Sequence, residues 1–284
     1  MARIFVIGGA GGVGSAVVRK LLARGDQVLI TVLNAEEENL ARQATADVEA
    51  VHHVDLSDPA STKSLLQAAF QSAGQIDSVI TCAAMAPVGP LETTDLEVVR
   101  RTLDVNCVSH VAIFQAALPA LRQTKGRLLF ISSMAGKAGM PFIGAYATSK
   151  FALEGAADVM RQEAAPQGVR VILVEPGGIK TPMVDRQLAQ VTDRLRQLDP
   201  EEERRYGYLY RGFHAMASAG QKESSSTPEQ IADILIAAHD EPNPSARYAA
   251  GDDAGQMIEL AKRGDEAVDE TFRSLFAQHG GSPG

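Results

Sequence analysis

The chain alternates short apolar runs with longer segments whose apolar residues recur at helical spacing. The short runs are rich in β-branched and aliphatic residues and read RIFVI, QVLITVL, VEAVHHV, IDSVITCAA, GRLLFIS and VRVILVE. Helical patterns such as STKSLLQAAFQSAG and AYATSKFALEGAADVMRQEAA lie between them. This alternation predicts parallel strands that are buried on both faces and connected by helices.

Right-handed crossovers between such strands predict a Rossmann-type, doubly wound α/β sheet of about seven strands, with ligands at the carboxyl ends of the strands. We expect a single domain over residues 1–284. The segment 183–226 departs from the alternation and is helical, charged and aromatic. Because it follows the sixth strand, we interpret it as a helical substrate lid, with a peripheral hairpin as the alternative. The run SSST at 224–227 is typical of a helix N-cap region.

Composition and charge narrow the classes of function. The 284 residues carry a formal net charge of -8, which disfavours nucleic acids and anionic membranes as partners. No apolar run reaches membrane-spanning length, and we expect no signal sequence. Only two cysteines occur, Cys82 and Cys107, both in apolar segments. We therefore expect a cytoplasmic protein without a disulfide framework.

The segment IGGAGGVG places five glycines directly after the first apolar run. Glycine costs roughly 0.5 to 1 kcal/mol relative to alanine inside an element, so such a cluster suits a turn with positive φ or close backbone approach. Three registers overlap there: Gly9-x-Gly11-x-x-Gly14, Gly8-x-x-x-Gly12-x-Gly14 and Gly8-x-x-Gly11-x-x-Gly14. An apolar-periodic helix follows, whose free N–H groups favour a pyrophosphate. The order of strand, turn and helix predicts a dinucleotide site.

A set of polar residues follows the glycine turn along the chain. Tyr146 and Lys150 lie four residues apart in YATSK, so they share one helix face. An ammonium beside a phenol favours the phenolate and moves its pKa by roughly one to three pH units, which makes Tyr146 a candidate proton shuttle. Ser133 lies thirteen residues before Tyr146 at the end of a predicted strand, and Asn106 lies in the preceding helix.

Together with the glycine turn and EPGGIKTPM at 175–183, these residues resemble the short-chain dehydrogenase/reductase family over roughly residues 1–183. The resemblance implies an NAD(P)-dependent oxidoreductase in which Tyr146 is the general acid/base and Ser133 polarises the reacting oxygen. It implies that Lys150 lowers the phenol pKa and holds the nicotinamide ribose, and that Asn106 anchors a water of the proton relay. The cofactor carries the hydride chemistry, so the protein supplies orientation and a proton.

The resemblance also implies a set of cofactor contacts. Asp55 matches an acid beside the adenine, Pro176 and Gly177 match a turn under the nicotinamide, and Thr181 matches a hydroxyl near its carboxamide. In the chain, TCAA at 81–84 replaces the Asn-Asn-Ala-Gly stretch usual in the family. The full set comprises Gly8, Gly11, Gly12, Val13, Gly14, Asn34, Asp55, Leu56, Ala83, Asn106, Tyr146, Lys150, Pro176, Gly177, Ile179 and Thr181.

The end of the second strand carries neither the acid typical of NAD enzymes nor the base typical of NADP enzymes, because Leu33 and Asn34 stand there. The three glutamates at 36–38 follow, and their charge should repel a 2′-phosphate. Asn34 and Glu37 also fit a helix-capping arrangement. We expect NAD to be preferred over NADP. No metal site is expected, since the adjacent His52 and His53 point to opposite faces of a strand.

The predicted substrate contacts are Ser133, Met134, Tyr146 and Met183. Further apolar residues predict a wall around a lipophilic or aromatic secondary alcohol or ketone: Met140, Phe142, Ile143, Tyr206, Tyr210 and Phe213. FALEGAADVM and its continuation resemble family members that act on steroids and retinoids. A nucleotide-sugar epimerase-like enzyme and a non-catalytic dinucleotide sensor remain the alternatives. The long helices also resemble those that pack between subunits, which implies a homodimer or homotetramer.

Overall fold

A single parallel sheet forms the centre of the molecule. The computed structural model describes residues 1–45, 47–223 and 226–281, and in these the sheet has seven strands in the order β3-β2-β1-β4-β5-β6-β7. The strands are β1 (Arg3–Ile7), β2 (Gln27–Val32), β3 (Ala50–His53), β4 (Ser78–Thr81), β5 (Arg127–Ile131), β6 (Arg170–Pro176) and β7 (Arg247–Ala250). The predicted Rossmann-type architecture is confirmed.

Helices cover both faces of this sheet. They are α1 (Gly12–Ala23), α2 (Ala35–Ala44), α3 (Pro59–Ala73), α4 (Leu96–Leu103), α5 (Ser109–Thr124), α6 (Gly144–Ala164), α7 (Pro182–Leu195), α8 (Pro200–Lys222), α9 (Pro228–Asp240), α10 (Asp252–Ala261) and α11 (Asp265–Gly280). The alternating side chains of β1 reach both layers. Phe5 and Ile7 pack with α3, α5 and α6, whereas Ile4 and Val6 pack with α1 and α9. Burial on both faces explains why the strands read as continuous apolar runs.

The strand order reverses at β1, which pairs with β2 on one side and β4 on the other. Ile7 lies opposite Thr81 in the register, so the glycine turn and the TCAA segment leave the sheet side by side. The Gly8 N–H donates to the Thr31 hydroxyl at 3.0 Å and ties the turn to β2. This reversal creates the crevice in which doubly wound sheets bind their ligands.

The sequence of residues 95–123 has apolar residues at helical spacing throughout, but the helix that it forms is interrupted. A π-helical segment, Asp104–Val108, separates α4 from α5 and includes Asn106. Such bulges insert a residue into the helical ladder and occur often at functional sites.

The predicted lid consists of two helices, α7 and α8, which the C-terminal helix α11 supports. Their shared core contains Phe142, Val191, Leu209, Tyr210, Phe213, Phe272 and Phe276, with Ala138. A Cβ atom on Gly212 of α8 would lie 2.6 Å from the Phe276 ring, so the two helices pack at close range. Ser224 and Ser225 of the predicted N-cap run lie outside the described residues. Thr227, from the same run, caps α9 and forms a capping box with Gln230.

Among the residues that the structure describes, no helix combines the length and apolar character needed to cross a bilayer.

Candidate active site

The glycine turn presents an uncapped helix start to the crevice. Gly8 has φ +78°, and a Cβ atom there would lie 2.7 Å from the Cβ of Ala83. A Cβ on Gly14 would lie 2.0 Å from the Gly8 carbonyl oxygen. By contrast, a Cβ on Gly11 would meet only that oxygen, at 3.6 Å, and no side chain caps α1. Close backbone packing and open N–H groups at a helix start fit a bound pyrophosphate.

The residues expected around the adenosine lie at the ends of β2, β3 and β4. Asn34 Oδ1 accepts from the Glu37 N–H at 3.0 Å, so this side chain caps α2, as its spacing predicted. Asp55 follows β3, and a hydrogen bond from the Ser57 N–H lowers the pKa of its carboxyl. Leu56 is buried in the core, and Ala83 contacts Gly8.

The charges near this end of the crevice are mostly negative. Glu38 accepts hydrogen bonds from Arg42 and lies 2.7 Å from the Nε2 atom of His53. Both contacts lower the pKa of the Glu38 carboxyl, with His53 the larger cause. Arg42 and His53 are therefore engaged with Glu38, and Glu36 is exposed.

Ser133 stands just beyond the end of β5. It begins a short 3-10 turn, Met134–Gly136, and its Oγ accepts from the Ala135 N–H at 3.1 Å. The same hydroxyl lies 3.5 Å from the Pro176 carbonyl oxygen, a long contact that leaves the proton available to a stronger acceptor. Ser133 is buried, and its interaction with Tyr146 lowers the pKa of the Tyr146 phenol.

Tyr146 and Lys150 occupy successive turns of α6. The Lys150 side chain is buried, its ammonium donates to the Ile131 carbonyl at 2.9 Å, and it lies 5.6 Å from the centroid of the Tyr146 ring. Burial lowers the pKa of Lys150 to about 8, while the negative charge of Glu154 acts in the opposite direction.

The pKa of Tyr146 is raised, whereas the sequence predicts that the Lys150 ammonium lowers it. Burial raises the pKa of this phenol, and only the hydrogen bond with Ser133 opposes the increase. The physical reason is geometric: the Lys150 ammonium lies over the ring and is directed at a backbone carbonyl rather than at the phenol oxygen.

A chain of hydrogen bonds connects Asn106 to α6. The Asn106 amide nitrogen donates to the Met85 carbonyl at 2.7 Å and to the Ser149 hydroxyl at 2.9 Å, and its oxygen accepts from the Met85 N–H. Ser149 in turn donates to the Tyr146 carbonyl at 2.7 Å. No local sequence pattern indicates the roles of Met85 and Ser149. Both donor hydrogens of the Asn106 side chain are used within the protein.

A partly buried ion cluster joins the segments that carry the site. Lys137 Nζ lies 2.6 Å from Glu154 and 3.3 Å from Glu175, while Arg247 Nε lies 3.0 Å and 3.2 Å from the same two carboxylates. Glu154 follows Lys150 by one helical turn, and Glu175 directly precedes Pro176. This cluster therefore braces the Ser133 loop, α6 and the end of β6 against one another. No local sequence pattern predicts this cluster, because its four residues are distant from one another along the chain.

The turn after β6 contacts the glycine turn. A Cβ atom on Gly12 would lie 3.1 Å from the Thr181 Cγ2 atom. Pro176 ends β6, Gly177 follows it, and Ile179 pairs with Ser226 in an isolated bridge. Thr181 begins α7 without using its hydroxyl as a cap, so that group remains available.

Two cavities border the helices of the predicted lid. The first, of about 700 Å³, lies between the loop after β4 and α7 and is lined in part by Met85, Met183, Arg186, Gln187 and Tyr210. The second, of about 640 Å³, includes Met140, Phe142, Phe151 and Tyr206.

The predicted apolar wall is thus divided between these cavities and the lid core. Phe142 and Tyr210 form an edge-to-face pair with centroids 4.7 Å apart, and Phe213 is buried beside them. Met134 is half-buried near Ser133, and Ile143 packs against the lid core.

The two strand histidines have separate environments. His52 stacks on Phe5 with centroids 5.5 Å apart, and burial lowers the pKa of its imidazole. In the part of the chain that the structure describes, no group of three or more His, Cys, Asp or Glu residues could hold a metal ion.

Comparison with known proteins identifies the family to which the chain belongs. Residues 2–192 match the family described as short chain dehydrogenase. The chain is 28% identical over 273 residues to the oxidoreductase BOA17 of Botryotinia fuckeliana, with 95% of this chain and 96% of that protein covered. It is 32% identical over 178 residues to the human 17-beta-hydroxysteroid dehydrogenase type 1, with 62% of this chain and 52% of that protein covered.

A solved structure gives the same fold. The crystal structure of a short chain dehydrogenase from Burkholderia cenocepacia in complex with NADP matches with a TM-score of 0.72 at 21% identity, covering 95% of this chain and 97% of that one. The family match spans the glycine turn, Ser133, Tyr146 and Lys150. The chain therefore belongs to the short-chain dehydrogenase family of NAD(P)-dependent oxidoreductases.

Proposed function

We propose that the enzyme interconverts a secondary alcohol and a ketone on a lipophilic or aromatic small molecule, with Tyr146 as the general acid/base. The observation that carries this proposal is the convergence of Ser133, Tyr146 and Lys150 at the carboxyl edge of the sheet, beside the open start of α1. Each segment of this set follows a strand that ends at the same edge. Hydride transfer is the chemistry that the nicotinamide cofactor supplies when it is bound.

The protein's own residues then handle the proton and the oxygen. In the direction of reduction, Tyr146 donates its phenolic proton to the substrate oxygen while Ser133 donates a hydrogen bond to the same atom. The interaction with Ser133 favours the phenolate that results, and the Lys150 ammonium lies 5.6 Å from the centre of the same ring. In oxidation, the same phenolate accepts the proton of the alcohol.

Asn106 supports this step through its backbone. Because both N–H groups of its amide are bonded to Met85 and Ser149, the residue's backbone carbonyl within the π-helical segment is the group we assign to a relay water. The Ser149 bond to the Tyr146 carbonyl links this segment to the turn of α6 that carries the acid/base.

The cofactor preference that we propose is NAD. An NADP site needs a cation for the 2′-phosphate, and both Arg42 and the His53 ring are bonded to Glu38. The exposed Glu36 adds negative charge at the same helix start. The cavity beside Met183 supports the substrate class, since it joins apolar residues with a few polar groups such as Gln187. The name of the human relative, a hydroxysteroid dehydrogenase, points to the same chemistry.

The first test is the thermal shift of the purified protein with NADH and, separately, NADPH. A ligand at roughly 100 times its Kd stabilises the folded state by about 2.7 kcal/mol, which gives a clear shift. We expect the larger shift with NADH. The saturated enzyme is then screened against lipophilic alcohols with NAD and ketones with NADH. Strong cofactor binding with turnover confined to small hydrophilic substrates would overturn the substrate proposal.

A further inference from the structure

Asp253 connects the C-terminal part of the chain to the turn after β6. It is the second residue of α10, which begins directly after β7. Its Oδ2 atom accepts a hydrogen bond from the Gly178 N–H at 2.7 Å, and its Oδ1 atom accepts from the Ala254 N–H at 2.9 Å. The carboxylate thus holds the backbone of the turn from a position 75 residues further along the chain.

The surroundings of this carboxylate leave no room for other side chains. A Cβ atom on Gly177 would lie 2.2 Å from the Asp253 carboxylate oxygens. Gly251 has φ +106°, and a Cβ atom there would lie 2.7 Å from Asp253 Oδ1. Two glycines therefore form a socket around one carboxylate. Glycine is the residue type that permits such close approach and positive φ.

The neighbouring aspartate, Asp252, lacks the contacts that Asp253 makes with the turn after β6. Asp252 also lies in the first turn of α10, but its side chain is exposed. A general role in stabilising the helix dipole would be shared by both carboxylates. The contact with Gly178 belongs to Asp253 alone of the two.

We propose that Asp253 is a positioning residue for the nicotinamide half of the cofactor site. Its charged oxygens fix the Gly177–Gly178 backbone, which has no side chains of its own to restrain it, so the turn after Pro176 keeps one conformation. A hydrogen bond to an ionised acceptor is roughly twice as strong as a neutral one, which suits this restraint. The inference rests on the proposed placement of the nicotinamide at this turn. It extends that placement to a residue beyond the segment that the family match covers.

The test compares two ligands that differ in the nicotinamide alone. The Kd values of NADH and ADP-ribose are measured for the full-length wild type and for Asp253→Ala, Asp253→Asn and Asp252→Ala. We expect Asp253→Ala to weaken NADH about tenfold and to leave ADP-ribose within twofold, since one charge-assisted hydrogen bond is lost. Asp253→Asn, which keeps an acceptor oxygen, should fall between wild type and Asp253→Ala. Asp252→Ala should bind both ligands as the wild type does.

The possible results distinguish a failure of the positioning role of Asp253 from a failure of the nicotinamide placement on which it rests. Equal weakening of NADH and ADP-ribose would overturn the positioning role and indicate a general loss of structure, and unchanged binding of both would overturn it as well. A wild type that binds ADP-ribose and NADH equally well would instead contradict the placement of the nicotinamide at this turn. If NADPH is the tighter ligand, NADPH and 2′-phospho-ADP-ribose replace the two probes.

A second variant tests the socket itself. Gly177→Ala should weaken NADH selectively, because its methyl group displaces the carboxylate. Adding Asp253→Ala should cause little further loss, since the two changes disrupt the same contact and are not additive. Additive losses would contradict a shared action of Gly177 and Asp253.

Discussion

The Lys150 ammonium donates a hydrogen bond to the Ile131 carbonyl at 2.9 Å, and this contact holds a buried positive charge at the end of the strand that leads to Ser133. The charge lies over the ring of Tyr146 rather than at its hydroxyl. Burial lowers the pKa of Lys150 to about 8, so the protonated form is destabilised in the folded protein. The site therefore maintains an ammonium that is unfavourable for folding.

This relationship predicts a pH-dependent gain in stability from Lys150→Met. The folded pKa of about 8 lies below the value of 10.5 that the side chain has in solution. Between these values unfolding takes up a proton, so the contribution of Lys150 to stability rises with pH, and below about pH 8 the full penalty applies. We expect Lys150→Met to be more stable than wild type by about 2 kcal/mol at pH 7, allowing for the lost hydrogen bond. The difference should shrink towards pH 10 in urea unfolding.

Lys262→Met is the matched control, because Lys262 is an exposed lysine at the end of α10. Its stability difference from wild type should be small and independent of pH over the same range. A Lys150→Met variant less stable than wild type at pH 7 would show that the ammonium is not penalised by burial.

Tyr146→Phe should separate catalysis from cofactor binding. The change removes the phenolic proton and keeps the ring, so we expect kcat to fall by about a hundredfold or more while the Kd of NADH changes less than about twofold. The measurement is single-turnover kinetics with a substrate found in the screen, together with NADH titration. Tyr248→Phe, in β7, removes a hydroxyl outside the site and should leave both quantities unchanged. Near-normal turnover in Tyr146→Phe would end the assignment of Tyr146 as acid/base.

The sheet and the core of the site could be predicted from the sequence because their signals are local. Strand β1 alternates Ile4 and Val6 on one face with Phe5 and Ile7 on the other, and all four are buried. Helical spacing placed Tyr146 and Lys150 on one face of α6, as the structure has them. The bonds from Asn106 to Met85 and Ser149 join residues 21 and 43 positions apart, and no local pattern indicates such pairs.

The lid was harder to predict for a related reason. Aromatic residues at helical spacing predict that one face of the helix is buried, but they do not indicate which part of the protein or which ligand packs against that face. Phe142 and Phe213, predicted as part of a wall around the substrate, pack against each other with centroids 5.0 Å apart, and Phe142 also packs against Tyr210 at 4.7 Å. The covering element, α11, comes from the end of the chain. Only Met183 and Tyr210 of the predicted wall reach the first cavity.

Reversal of charge at the start of α2 should weaken the discrimination against NADPH. Glu36 is exposed in the first turn, whereas the Glu37 carboxylate accepts a hydrogen bond from the Leu33 N–H and Glu38 is bonded to Arg42. We expect wild type to bind NADH more tightly than NADPH. Glu36→Lys should lower the ratio of the NADPH Kd to the NADH Kd about tenfold, because it places a cation near the 2′-phosphate. Isothermal titration at 50 mM and 300 mM salt should show the effect diminishing at the higher concentration.

The same change in charge at a remote position controls for the net charge of the protein. Glu163→Lys lies at the far end of α6 and should leave the ratio as in wild type. Tighter binding of NADPH than NADH by wild type would contradict the proposed preference, and an equal response of both variants would show that the effect is not local.

Exposed apolar side chains on α6 indicate where subunits would associate. Phe151 and Val159 are 46% and 53% exposed on this helix, and Val108, just before α5, is 44% exposed. Apolar groups on neighbouring helices are typical of a protein interface, and a carboxylate placed there would have to be buried without a partner. We expect wild type to be a dimer or tetramer by light scattering, and Val159→Glu to lower the assembly by at least one step. Leu40→Glu, at an equally exposed position on α2, should leave the assembly intact. A monomeric wild type would contradict the predicted assembly, and an unchanged assembly in both Val159→Glu and Phe151→Glu would place the association surface elsewhere.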